Sequence, residues 1–182
     1  KQTYKQEISG GYMWSPKTNK NGIRSQFYDF MTEVKIGDIV FSYYNGKIQQ
    51  LGIAKSRAIN TSKPEELGHR KEWNTDGWLV NVEYHELNKP KSIKSKINSI
   101  SPLLPEKYSP LQKNGNANQA YLFKIDKSLS NKLIDIIGEE FSSSVEIIED
   151  AIDDEESQKD IEFNTDESSP TEKEQITKAR IG

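Results

Sequence analysis

Short apolar runs alternate with polar turns along this chain, and most of the runs repeat with a period of two. Ile39–Tyr44 and Lys47–Ala58 read as strands, rich in β-branched and aromatic residues. Asn45-Gly46 separates them and predicts a hairpin, because both central residues of a type I′ turn need positive φ. Gly52, inside the second strand, predicts a bulge or close packing. Gly77–Leu87 puts Trp78, Val80, Val82 and Tyr84 on one face and Leu79, Asn81 and Glu83 on the other, the pattern of a half-buried strand. Tyr121–Ile125 is a further strand.

Helical spacing is confined to short segments. Ser25–Met31 predicts a short helix with Ser25 as N-cap and apolar residues at 27, 30, 31 and 34. Val34–Asp38 is a turn feeding the strand that begins at Ile39. Residues 60–76 are polar and irregular, with one helical turn at Lys63–Leu67. Ile93–Ile100 predicts another short helix, ending before Pro102, and Tyr108–Gln119 a polar loop. Ser128–Ile137 is amphipathic, with Leu129, Leu133, Ile136 and Ile137 inward and Gly138 as its stop. This order predicts an α+β domain in which a twisted antiparallel sheet closes into a small barrel flanked by short helices.

Gly10–Lys17 holds two aromatics at alternate positions, so Tyr12 and Trp14 share a face of a strand that Ser15-Pro16 ends. A Trp beside a polar turn either caps a core or walls a pocket.

Charge divides the chain. Residues 1–138 hold 21 Lys and Arg against 13 Asp and Glu, whereas residues 139–182 hold 4 against 15. The first part is a basic domain despite the overall net charge of −3, and a basic surface is the electrostatic footprint of nucleic-acid binding or simply a lysine-rich exterior. Residues 139–170 are acidic and poor in aromatics beyond the apolar patch Val145–Ile148, and read as a flexible linker. Residues 171–182 regain charge alternation and predict the start of a new helix.

The absence of cysteine excludes disulfides and thiolate metal sites, and two histidines, His69 and His85, make no histidine cluster. No apolar run approaches the roughly 20 residues of a membrane helix. The expectation is a soluble, cytoplasmic protein with no membrane partner, no metal and no cofactor. Lys1 in place of a methionine reads as a sign that the chain is cut from something longer.

Three motifs in order, Gly11–Thr18, Gly37–Ser42 and Ile48–Ala54, resemble the EVE-like domains of the PUA superfamily. Leu103–Gln112 and the Asn114-Gly115 and Asn118-Gln119 pairs resemble the branch fused to HNH endonucleases. Thr171–Gly182 resembles the lead-in to that nuclease. The resemblance spans residues 9–138 and the final dozen. It implies a PUA-like barrel over 1–138 that reads a modified cytosine (5-methyl or 5-hydroxymethyl) in double-stranded DNA within a modification-dependent restriction system. It also implies a nuclease domain absent from this chain, so the chain should bind without cutting. Any homodimer would form through that absent domain. An RNA-modification reader of the PUA or YTH kind and a small-molecule or protein-interaction barrel are the alternatives.

A modified base inside a duplex is read best by extruding and enclosing it. Stacking on aromatic rings returns roughly 1–3 kcal/mol per base, and buried base edges must find polar partners. Trp14 is the first candidate wall, with Tyr43 or Tyr44 as the second and Trp73, a tryptophan in a polar loop, as the third. Trp78 reads as core. Ser15, Ser42, Asn21, Asp76, Asn114, Asn118 and Gln119 are candidates for the base edge; a carboxylate such as Asp76 accepts from the cytosine amino group. As turn formers, Asp76 and the 114–119 asparagines have an equally good structural explanation. Lys17, Lys20, Arg24 and Lys113 are candidates for phosphate contacts.

Overall fold

A computed structural model describes residues 3–68, 73–141 and 179–181. Its strands form one curled, largely antiparallel sheet, a half-barrel with a few short helices. The chain enters through helix α1 (Tyr4–Gly10), which Gly11 ends in the left-handed conformation at φ 65°, and then forms β1 (Tyr12–Pro16). Helix α2 (Gln26–Asp29) follows; Ser25 precedes it in extended backbone and accepts from Tyr28 and Asp29 through its carbonyl oxygen. Next come β2 (Ile39–Tyr44), β3 (Lys47–Ala54), β4 (Ile59–Ser62) and β5 (Asp76–Ser92). Helix α3 (Ile97–Ile100), β6 (Phe123–Lys124), helix α4 (Lys127–Ile137) and β7 (Ala179–Ile181) complete the order.

The strands run β1-β5-β3-β2-β7-β6, with β4 also on β5. β5 is the spine. Its first half lies between β1 and β4, and its second half pairs with β3. The hairpin joining β2 and β3 turns at Asn45 and Gly46, with φ of 50° and 78°, as the Asn-Gly pair dictates. Gly52 serves close packing, since a methyl there would lie 2.5 Å from Val82 Cγ1 and 3.0 Å from Tyr84. The irregularities fall elsewhere, between Ser42 and Tyr43 and between Ile48 and Gln50.

Alternation along β2 divides the interior. Ile39 and Phe41 join one cluster with Ile48, Leu51, Leu129, Leu133 and Ile137. Val40 faces a second with Met13, Met31, Val80, Val82 and Leu122. Helix α4 seals the first cluster; its N-cap Asp126 accepts from Leu129 N at 2.8 Å. A small third cluster holds Tyr12, Trp14 and Leu67, with Trp73 and Leu79 against it.

Several expectations are revised. α1 and β4 add to the expected elements, and β5 runs on to Ser92. The strand expected at Tyr121–Ile125 contracts to Phe123–Lys124. The helix expected over 93–100 is α only from Ile97. Ala179–Ile181, expected as the start of a helix, is a strand parallel to β2 and antiparallel to β6. His69 and the linker beyond residue 141 lie outside the described residues.

Candidate functional site

A cavity of about 790 Å³ opens at one side of the half-barrel, within the roughly 300–1,000 Å³ range of ligand sites. Its walls are aromatic: Tyr28 after β1, Tyr43 and Tyr44 at the end of β2, Trp73 before β5, and Tyr121 and Phe123 before and in β6. Thr3, Pro110, the hairpin-turn residues Asn45 and Gly46, and the segment Ala117–Ala120 complete its border; Asn45, Gly46, Ala117 and Gln119 are exposed and mark the mouth.

The aromatic walls are held from behind. The Trp73 ring stands 5.8 Å from that of Trp14 and 6.4 Å from that of Tyr121, nearly perpendicular to the latter at 82°. Tyr28 meets Tyr121 edge-on at 6.5 Å, and Phe27 meets Phe123 at 5.1 Å. Tyr44 stacks on Tyr4 of α1, with centroids 4.4 Å apart and planes 9° apart. Such edge and offset contacts contribute about 0.5–1.5 kcal/mol each beyond area burial. Backbone ties add to this: Trp73 forms a bridge with Asn19, whose side chain accepts from the Tyr28 hydroxyl at 3.1 Å.

Polar groups near the cavity are anchored too. Tyr121 donates its hydroxyl to the buried carboxylate of Glu7 at 2.7 Å. Burial, and then the Glu7 charge and this hydrogen bond, push the Tyr121 phenol well above its ordinary range. Burial also raises Tyr43. Both therefore stay neutral near pH 7 and act as hydrogen-bonding aromatics. Asn118 is fixed by its backbone N–H to Pro110 O at 2.9 Å and by its side-chain amide to Ser109 O at 2.8 Å. Gln119, exposed at the mouth, makes no side-chain hydrogen bond among the described residues.

The residues singled out from sequence separate into two sets. Tyr43, Tyr44, Trp73, Asn118 and Gln119 border the cavity. Trp14 does not: it is fully buried in the third cluster, behind Trp73. Gly77 packs directly on its ring, so the strand pair β1–β5 closes over the indole. Ser15 and Ser42 are buried strand residues away from the cavity lining. Asp76 is turned to solvent with its side chain 62% exposed and pairs with Lys17 at 2.9 Å. Asn114 and Asn21 accept backbone N–H groups two residues ahead, from Asn116 and Ile23, and act as turn formers. Arg24 pairs with Asp29 at 3.0 Å, while Lys20 and Lys113 are exposed.

Both Tyr43 and Tyr44 border the cavity, although alternation puts consecutive strand residues on opposite faces. They are the last two residues of β2, paired in turn with Ile48 and Lys47 directly before the Asn45-Gly46 turn that also borders it. Tyr28 and Tyr121 carried a weaker signal: Tyr28 lies off the apolar stripe 27, 30, 31 and 34, and Tyr121 is an aromatic directly after a polar loop.

Among the described residues, no group of three or more His, Cys, Asp or Glu side chains is placed to hold a metal ion, and no helix is long and apolar enough to cross a membrane. A scan against protein-family models finds no match, and neither does a search of curated proteins.

Proposed function

We propose that this chain is a reader of modified DNA, an EVE-like, PUA-type domain that encloses an extruded 5-methyl- or 5-hydroxymethylcytosine in the cavity walled by Trp73, Tyr28, Tyr43 and Tyr121. The observation that carries this reading is the cavity itself: flat aromatic walls on several sides, neutral hydrogen-bonding groups, and asparagine and glutamine at the mouth. Stacking on such walls offsets the few kcal/mol needed to unstack a base. Gln119, a carboxamide exposed at the mouth, can donate and accept on one side chain, as a base edge requires, and Asn118 beside it is held by Ser109. The basic balance of residues 1–138 suits a phosphate backbone. In this reading the chain supplies recognition, and cleavage belongs to a separate HNH nuclease module that the reader directs to modified DNA.

The test is a titration of the chain against otherwise identical duplexes carrying cytosine, 5-methylcytosine or 5-hydroxymethylcytosine at one position, with a matched RNA series. Tighter binding to a modified duplex, by about 10–200-fold as one added group in a pocket allows, supports the proposal. Equal affinity for all three duplexes refutes it, and preference for the modified RNA replaces DNA with RNA as the substrate.

A further inference from the structure

The two segments that rim the cavity run outward to a common place. From the turn Asn45-Gly46 the chain passes into Lys47, which lies opposite Ser92 in the β3–β5 ladder, two residues before Lys94. From the other rim, Ala117 bridges to Leu111 across a tight loop in which Gly115 N donates to Gln112 O at 2.9 Å. The tip of that loop rests on Lys94. A methyl on Gly115 would lie 3.1 Å from Lys94 Cα, and Lys94 Nζ donates to Asn116 Oδ1 at 3.3 Å.

Lys47, Lys94, Lys96 and Lys113 are thereby gathered beside the mouth, all exposed, and none makes an ion pair among the described residues. The nearby carboxylate of Glu140 is engaged by Lys91 at 2.9 Å. Lys17 and Arg24, the basic residues expected from sequence to hold phosphates, are neutralised by Asp76 and Asp29. Uncompensated lysines held together at a surface are matched by a polyanion, which gives up condensed counterions when it binds.

We infer that Lys47, Lys94, Lys96 and Lys113 form a ridge that grips the phosphate backbone of duplex DNA and seats it beside the cavity mouth. This inference rests on the reader assignment above. Phosphate contacts of this kind set position and carry no base identity, so the ridge governs overall affinity and the cavity governs preference.

The experiment measures binding of the full chain to modified and unmodified duplexes between about 50 and 200 mM salt. It compares the unaltered chain with K47Q/K94Q/K96Q/K113Q and with K17Q/R24Q, and circular dichroism confirms that both variants are folded. The logarithmic salt slope should fall by about 2–4 in the ridge variant, at roughly 0.9 per phosphate contact, and by less than about 1 in the other. The ratio of modified to unmodified affinity should stay unchanged in both. A ridge variant whose slope stays within about 1 of the unaltered chain overturns the inference, as does a larger loss in K17Q/R24Q. Salt-dependent duplex binding without preference for the modified base refutes the cavity reading and leaves the ridge to be judged on slope; no duplex binding at 50 mM salt refutes both.

Discussion

Trp73 leans on Trp14 with ring centroids 5.8 Å and planes 41° apart, and of the two only Trp73 borders the cavity. One indole is structural and the other is presented. Trp14→Ala should therefore cost about 3–5 kcal/mol of stability, the range for truncating a large buried aromatic. Trp73→Ala, at a half-buried position, should cost clearly less. Chemical denaturation of both variants checks this, and equal losses would show that Trp73 is as much a core residue as Trp14.

The contact of Gly77 with the Trp14 ring gives a second prediction. A methyl at residue 77 would lie 2.5 Å from Trp14 Cε2 and also meet the Ser15 carbonyl oxygen. Gly77→Ala should destabilise by about 1–3 kcal/mol through overpacking. An unchanged thermal midpoint would mean that the β1–β5 pair is looser than described.

Tyr121 joins a wall of the cavity to the interior through its hydroxyl on Glu7. Tyr121→Phe keeps the ring and removes this donor from a buried carboxylate, at a cost of about 1–3 kcal/mol. Because the wall survives, any preference for a modified base should persist in this variant. Loss of preference with unchanged stability would place the hydroxyl in recognition instead.

Glu140 ties the end of α4 to β5, accepting from Lys91 at 2.9 Å and from the Lys89 backbone at 3.2 Å. The hydrogen bond from Lys91 comes first among the causes that hold its carboxyl below the usual carboxylate range. A depressed pKa means that the unfolded chain binds the proton more readily. The contribution is then present above the unfolded carboxylate pKa and is lost as pH falls through the lower folded value. The difference in thermal midpoint between the unaltered chain and Glu140→Gln should be present at pH 6–7 and close as pH falls below about 4. A difference that widens on acidification would contradict this.

Much of the fold was legible where local chemistry decides it. Asn45-Gly46 fixes a hairpin, alternation fixes the face of Trp78, Val80 and Val82, and the spacing Leu129, Leu133, Ile137 fixes the buried side of α4. β4 was hidden because Ile59–Ser62 is mostly exposed and, among the described residues, pairs only with β5, so no apolar alternation marks it. The site was half legible. Trp73 stood out as a tryptophan among polar residues, but which of Trp14 and Trp73 is covered depends on the pairing of β1 with β5, which sets Gly77 on the Trp14 ring and which no local pattern encodes. The entry of both Tyr43 and Tyr44 into the cavity depends on the end of β2 meeting Trp73 and Ala117–Tyr121, segments distant in sequence that one strand's pattern does not encode.

The most direct measurement of the central claim is the ratio of affinities for a 5-hydroxymethylcytosine or 5-methylcytosine duplex over the unmodified duplex, in the unaltered chain and in Trp73→Ala. Removal of the stacking wall should cost about 1–3 kcal/mol of modified-duplex binding, roughly 5–150-fold, and collapse the ratio toward one. A ratio that survives Trp73→Ala unchanged, or that is already one in the unaltered chain, contradicts a base-reading cavity.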